Sequence, residues 1–184
     1  MSSTVNFVIR DGLASDIPDC LQLDHGYETD FVWQMQVNHD EGWRIDFKRE
    51  RLPRALQVTY PASEERLRAG LAPDQCFLVA TTRDEEPEVI GYLTMRGDQA
   101  YKIGHVQDIV VSRTYRRHQI ATRLTKIAGM WAREQHLTSL MIETQTKNYP
   151  AIRFCEGAGF NFCGFNDRYF PNRDIAVFFS QSVR

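Results

Sequence analysis

Several absences narrow the reading of this chain first. It has no CxxC pair, and its four cysteines, Cys20, Cys76, Cys155 and Cys163, stand far apart, so no zinc or other metal site is expected. No apolar run approaches the roughly 20 residues that span a bilayer. The start, MSSTVNFVIRDG, lacks a basic region followed by an apolar core. Membrane association is therefore not expected, and a cytoplasmic location with reduced cysteines is the simplest assignment. An excess of one charge is missing too: 22 Lys and Arg against 24 Asp and Glu leave a net charge of −2. Without long blocks of like charge, no global field attracts nucleic acid, and any polyanion site must be local. Neither G-x-G-x-x-G nor G-x-x-x-x-G-K-[ST] occurs.

What is present describes a folded domain. A chain of 184 residues, 42% hydrophobic and 25% charged, is long enough for one well-buried core and short for two, so residues 1–184 are expected to form a single unit. NFVIRDG reads as a strand, and ASDIPDCLQLDH as a helix capped by Ser15 or Asp16 with Pro18 in its first turn. Residues 27–62 mix aromatic and charged residues without a sustained period and give no assignment. SEERLRAGLA predicts a short helix capped by Ser63. CFLVATTRDEEPEVIGYLTMRGD predicts an antiparallel hairpin, with HVQDIVVS as its next strand. Ile120, Leu124, Ile127 and Trp131 then form one apolar stripe of a helix. LTSLMIET follows as a buried strand, which makes the connection a parallel crossover. YPAIRFCEGAGF predicts a helix opened by Pro150 and closed near Gly157 or Gly159, and FNFCGF and DIAVFFS are two last strands. The fold class is α/β: a mixed, mostly antiparallel sheet with a central parallel pair and flanking helices.

The junction RRHQIA is strand, basic turn, helix. Helix-start amides have no internal partner and lie at the positive end of the helix dipole, so they bind anions. Arg116, Arg117 and His118 add side-chain donors. Alone, the turn is equally readable as a solvated basic loop.

From Val111 the sequence V-S-R-T-Y-R-R-H-Q-I-A resembles the acyl-CoA signature V-x-x-x-x-(Q/R)-x-x-G-x-(G/A) of the GNAT superfamily of N-acetyltransferases. Arg116 takes the Q/R position, Ala121 the Gly/Ala position, and Gln119 replaces the first glycine. ETQTKNYPAIRFCEGAGF resembles the superfamily's later signature through Asn148, Ala151, Phe154, Gly159 and Phe160, with Cys155 where tyrosine is usual. The segment is most similar to the streptothricin-acetyltransferase branch, over about residues 88–170.

The resemblance implies acetyl-CoA as cosubstrate and a small-molecule primary amine as acceptor, an aminoglycoside- or streptothricin-like antibiotic among the candidates. It implies direct transfer in a ternary complex. The backbone of Ile109, Val110 and Val111 would pair with the pantetheine arm as an added strand, and Asn148 would add a side-chain hydrogen bond. Arg116, Arg117, His118, Gln119, Ile120, Ala121 and Thr122 would hold the diphosphate. If the turn needs φ below zero, Gln119 fits and its amide still donates; its Cβ predicts weaker or shifted binding.

Attack on a thioester needs a neutral amine, and a lysine-like amine has a pKa near 10 in water. A base is therefore required. Asp108, placed by alternation on the side of Val106 and Val110, is a candidate general base, a structural hydrogen-bonding group or a site for the substrate's cation. His105 and Glu143 are further candidates for the base. Cys155 is the candidate acid for the leaving thiolate by position, with Tyr149 and Tyr169 as substitutes and core packing as the alternative. Tyr27, Asp30, Trp33, Asp40, Glu41 and Trp43 suit a cationic amine with an apolar body and serve equally well as core or surface residues. A homodimer is compatible with all of this. A non-catalytic acyl-CoA-binding module is the alternative that the departures at Gln119 and Cys155 keep open.

Overall fold

The computed structural model describes residues 5–40, 42–60 and 62–183. Glu41, one of the acceptor candidates, lies outside them. The chain divides into two compact units, one of residues 1–25, 60–142 and 180–184 and one of residues 26–59 and 143–179.

The first unit is built on the strands β1 (Phe7–Asp11), β4 (Gln75–Thr82), β5 (Val89–Asp98), β6 (Ile103–Val111) and the start of β7 (Ser139–Gln145), neighbours in the order β1-β4-β5-β6-β7. The first three pairings are antiparallel and β6–β7 is parallel. This is the meander and crossover that the sequence predicts, and the sheet is mixed and mostly antiparallel as expected. The helix α1 (Ile17–Gln22) follows a 3-10 turn at Ala14–Asp16. Asp16 does not cap the helix as expected; its carboxylate accepts from Leu13 N–H at 2.8 Å and from Arg10 at 2.6 Å and 2.7 Å, which fastens the turn to β1. Arg10 is the main reason its carboxyl sits below the usual range. The helix α2 (Glu64–Ala69) starts on the predicted cap, Ser63 Oγ accepting from Arg66 N–H at 3.2 Å.

Ile17 and Cys20 of α1 and Leu67 of α2 bury against Phe77, Val79 and Tyr92 on one face of the sheet. The helix α3 (Ile120–Glu134) packs on β4, β5 and β6. Its stripe is centred on Ile120, Leu124, Ala128 and Ala132, all buried, with Ile127 and Trp131 at the margin. Gly104 is needed beneath this layer, since a Cβ there would come within 2.7 Å of Met95 Sδ and 2.9 Å of Leu140.

The second unit resolves the segment that had no assignment. Residues 27–62 supply most of a long antiparallel ribbon, β2 (Gly26–Asn38) with β3 (Arg44–Thr59). Its ladder jumps from Thr29↔Leu56 to Phe31↔Arg51, so residues 52–55 bulge opposite Asp30. The ribbon's aromatic residues pack with β8 (Asn161–Asn166) and β9 (Ala176–Ser182): Trp33 lies 5.8 Å from Phe47, 6.0 Å from Phe162 and 6.0 Å from Phe179 between ring centroids. The helix α4 (Tyr149–Gly157) contacts β2, and Tyr149 meets Phe31 at 5.6 Å. Among the described residues, no helix is long and apolar enough to cross a membrane.

Candidate acyl-CoA site

The parallel ladder runs from Ile103↔Ser139 to Val106↔Ile142. Among the described residues it carries no further pair, while β6 continues to Val111 and stays bonded to β5 as far as Gly91↔Val111. From Gln107 to Val111 the strand thus presents one paired edge and one edge without ladder bonds. Backbone groups on such an edge can take up an extended amide chain. Ile109, Val110 and Val111 are the residues for which the sequence reading expected this.

At the end of that edge the turn is left-handed. Arg117 has φ +70° and Gln119, the residue before α3, has φ +62° and ψ +13°. The condition under which Gln119 would fit without cost, a φ below zero, is therefore not met: this is a conformation glycine adopts freely and glutamine enters at about 1–2 kcal/mol. The first bond of α3 runs from Arg123 N–H to Gln119 O at 3.0 Å. Helix geometry then leaves the amides of Ile120, Ala121 and Thr122 at the open end. Ile120 keeps its side chain buried, and the first turn holds no acidic residue that would repel an anion.

The basic residues divide into two groups. Arg117 is exposed and His118 half-buried. Arg116 is engaged in the protein itself: Nε donates to Val111 O and Nη2 to Asp24 O, both at 3.0 Å. Its guanidinium thus fastens the turn to the end of β6 and to the segment after α1.

Asp108 stands at a β-bulge. The ladder passes from Met95↔Val106 to Thr94↔Asp108, so Gln107 is the extra residue. The inserted residue resets the alternation: Asp108 shares a face with Thr94 and Val110, and not with Val106 as expected. Its Oδ1 accepts from Arg66 at 2.9 Å and its Oδ2 from Thr94 Oγ1 at 2.7 Å. Of its three candidate roles, this geometry displays the structural hydrogen-bonding one. On the same face Tyr92, 2% exposed, is 3.0 Å from His25 Nε2. Burial and then the charge of Asp108 push the Tyr92 hydroxyl well above the ordinary tyrosine range, so it stays a neutral phenol. His25 and Tyr92 were not singled out from the sequence. Nothing in their spacing, 67 residues apart, links them.

In the second unit Asn148 Oδ1 caps α4 by accepting from Ala151 N–H at 3.2 Å. Cys155 is 0% exposed, and burial pushes its thiol up to about 12. A buried, protonated thiol is the environment that the packing alternative for Cys155 describes. Tyr169 and Glu143, separate candidates in the sequence, are brought together: the Tyr169 hydroxyl donates to the Glu143 carboxylate at 2.5 Å, with Tyr169 44% exposed. Of the acceptor candidates, Tyr27 is buried, Trp33 belongs to the aromatic cluster, and Asp30 is exposed at the bulge. Trp43 is exposed at the ribbon's turn, 4.5 Å from the His39 ring.

The sequence model of the acetyltransferase (GNAT) family matches residues 39–160. The chain belongs to this family. It is 28% identical over 108 residues to N-alpha-acetyltransferase 30 of Saccharomyces cerevisiae, a match covering 56% of this chain and 61% of that protein. It is 36% identical over 70 residues to streptothricin acetyltransferase A of Bacillus subtilis, covering 38% of this chain and 39% of that one. These matches thus span less than two thirds of either relative. A solved structure from Bacillus anthracis, assigned as a streptothricin acetyltransferase in complex with acetyl coenzyme A, superposes over 96% of this chain and 98% of its own with a TM-score of 0.80 at 22% identity. That likeness shows the fold.

Proposed function

We propose that the protein is an acetyl-CoA-dependent N-acetyltransferase that carries the acetyl group to a primary amine of a small molecule. The observation that carries this reading is the β6 edge without ladder bonds, leading through a 3-10 turn at Arg113–Tyr115 into a left-handed basic turn and the open amides of α3. Pantetheine is a chain of amides and suits the edge. The diphosphate suits the turn, where backbone N–H groups, the helix dipole and Arg117 act together. The acetyl-CoA complex of the similar fold supports the donor, and the B. subtilis relative supports a streptothricin-like acceptor.

In the reaction the amine nitrogen forms a bond to the thioester carbonyl carbon, the C–S bond breaks, and CoA leaves as thiolate. The amine loses one proton and the thiolate gains one. With Asp108 occupied by Arg66 and Thr94 and with Cys155 sealed, the Glu143–Tyr169 pair is assigned the proton work: the carboxylate takes the amine proton and the phenol donates toward the thiolate. Donor binding without turnover is a second reading, favoured by the departures at Gln119 and Cys155 and by the burial of Cys155.

Calorimetric titration with acetyl-CoA, followed by thiol release with a panel of streptothricin, aminoglycoside and peptide N-terminal amines, separates these readings. Saturable donor binding and thiol release with a small-molecule amine is the expected result. Binding with no turnover on any amine favours the second reading, and no binding of acetyl-CoA overturns both.

A further inference from the structure

The turn that the acetyl-CoA reading uses lacks glycine yet holds two left-handed residues, Arg117 and Gln119. A strained turn persists only where its surroundings fix it. Those surroundings converge on Asp24, in the segment after α1. Its carboxylate accepts from Arg113 Nε at 2.8 Å and lies 3.9 Å from Arg116 Nη2, while its backbone carbonyl accepts from Arg116 at 3.0 Å. Arg116 in turn holds Val111 O, and Tyr115 O–H donates to Glu88 at 3.3 Å. The residues that lead into the strained pair are thus tied down, and Ile120 just after it is buried.

We propose that Asp24 is a positioning residue for the donor: with Arg113 and Arg116 it clamps the left-handed turn in the shape that presents the α3 amides to the diphosphate. The proposal rests on the acetyl-CoA reading. Electrostatics alone argues the opposite, because a carboxylate near an anion site repels the anion and partly neutralises two arginines. Removing its charge therefore has two possible effects of opposite sign. The clamp dominates if holding the turn matters more than the repulsion.

Asp24→Asn tests this, since it removes the charge and keeps the backbone carbonyl that Arg116 uses. Acetyl-CoA affinity is expected to fall about 5- to 30-fold, with KM for the donor rising more than kcat at saturating donor changes. Arg113→Ala is expected to do the same, and the double variant to be no worse than either single one, because both remove one interaction. In a Gln119→Gly background the effect of Asp24→Asn shrinks, since less strain needs holding. If Asp24→Asn binds acetyl-CoA as tightly as the wild type or more tightly, the clamp is refuted. A wild type that fails to bind acetyl-CoA refutes the underlying reading instead. The clamp is then judged by amide exchange of residues 117–122 in the free protein, where Asp24→Asn must accelerate exchange or the proposal falls.

Discussion

Replacing Gln119 by glycine is expected to make the protein more stable, although it removes a side chain and loosens the unfolded chain. At φ +62° glutamine's Cβ crowds the backbone, at a cost of about 1–2 kcal/mol. Glycine removes this cost but loses more freedom on folding, about 0.5–1 kcal/mol. The balance lies between about 0 and 1.5 kcal/mol in favour of glycine, a rise in Tm of up to about 6 °C for a chain of this size. Thermal denaturation without cofactor measures it. Gln119→Val provides the opposite case, because a β-branched residue is a poorer fit to the left-handed region, and Tm falls. A glycine variant that melts below the wild type, or a valine variant that melts with it, refutes the reasoning. Titration with acetyl-CoA then shows whether closer backbone approach tightens binding, as the acyl-CoA reading requires.

Asp108→Ala is expected to destabilise the protein by about 1–3 kcal/mol, because it leaves the fully buried Thr94 hydroxyl without its acceptor. Arg66→Ala removes only a half-exposed ion-pair partner and costs about 0–1 kcal/mol; equal losses in urea unfolding contradict the arrangement. The thiols of Cys20, Cys76 and Cys155 are each raised to about 12 by burial, against an ordinary 9.0. Their contribution to stability is complete below about pH 9 and is lost as pH rises toward 12, since the unfolded chain releases protons that the native state retains. Each contributes a fall of about 1.4 kcal/mol per pH unit in that window, so Cys155→Ala should flatten the alkaline limb of urea stability. Glu143→Gln is expected to lower kcat by about 10²–10⁴-fold with acetyl-CoA affinity retained; an unchanged kcat removes Glu143 from the reaction.

The elements from Gln75 onward were legible because β4 and β5 are near-continuous apolar runs buried on both faces, bounded by turn residues, and α3 has a single helical period. The helical period of α3, whose buried stripe shifts from Ile127 and Trp131 to Ala128 and Ala132, and the helix start at Pro150 describe local physics that the fold preserves. The β2–β3 ribbon was not legible for equally local reasons. Its strands alternate aromatic and charged residues because one side packs on Phe162 and Phe179 while the other faces water, and the bulge at residues 52–55, with Pro53 in it, breaks the alternation. The turn before α3 was legible as a basic helix start, but its backbone sign was not, because glutamine gives no hint of a positive φ. Asp108 was recognised as a polar residue among valines and placed on the side of two of them, of which Val110 shares its face and Val106 does not. A one-residue bulge shifts every neighbour without leaving a mark in composition.

The edge of β6 has a consequence for how this sequence can change over time. If the donor is read through N–H and C=O groups, the side chains at Ile109, Val110 and Val111 answer only to the hydrophobic interior and to extended geometry. Substitutions among β-branched and aliphatic residues at these three positions leave the recognition chemistry intact. The turn is constrained in the opposite way: its side chains can vary only if the left-handed backbone survives. A lineage can therefore drift freely along the strand, while losing the glycine of the turn demands a compensating grip elsewhere in the chain.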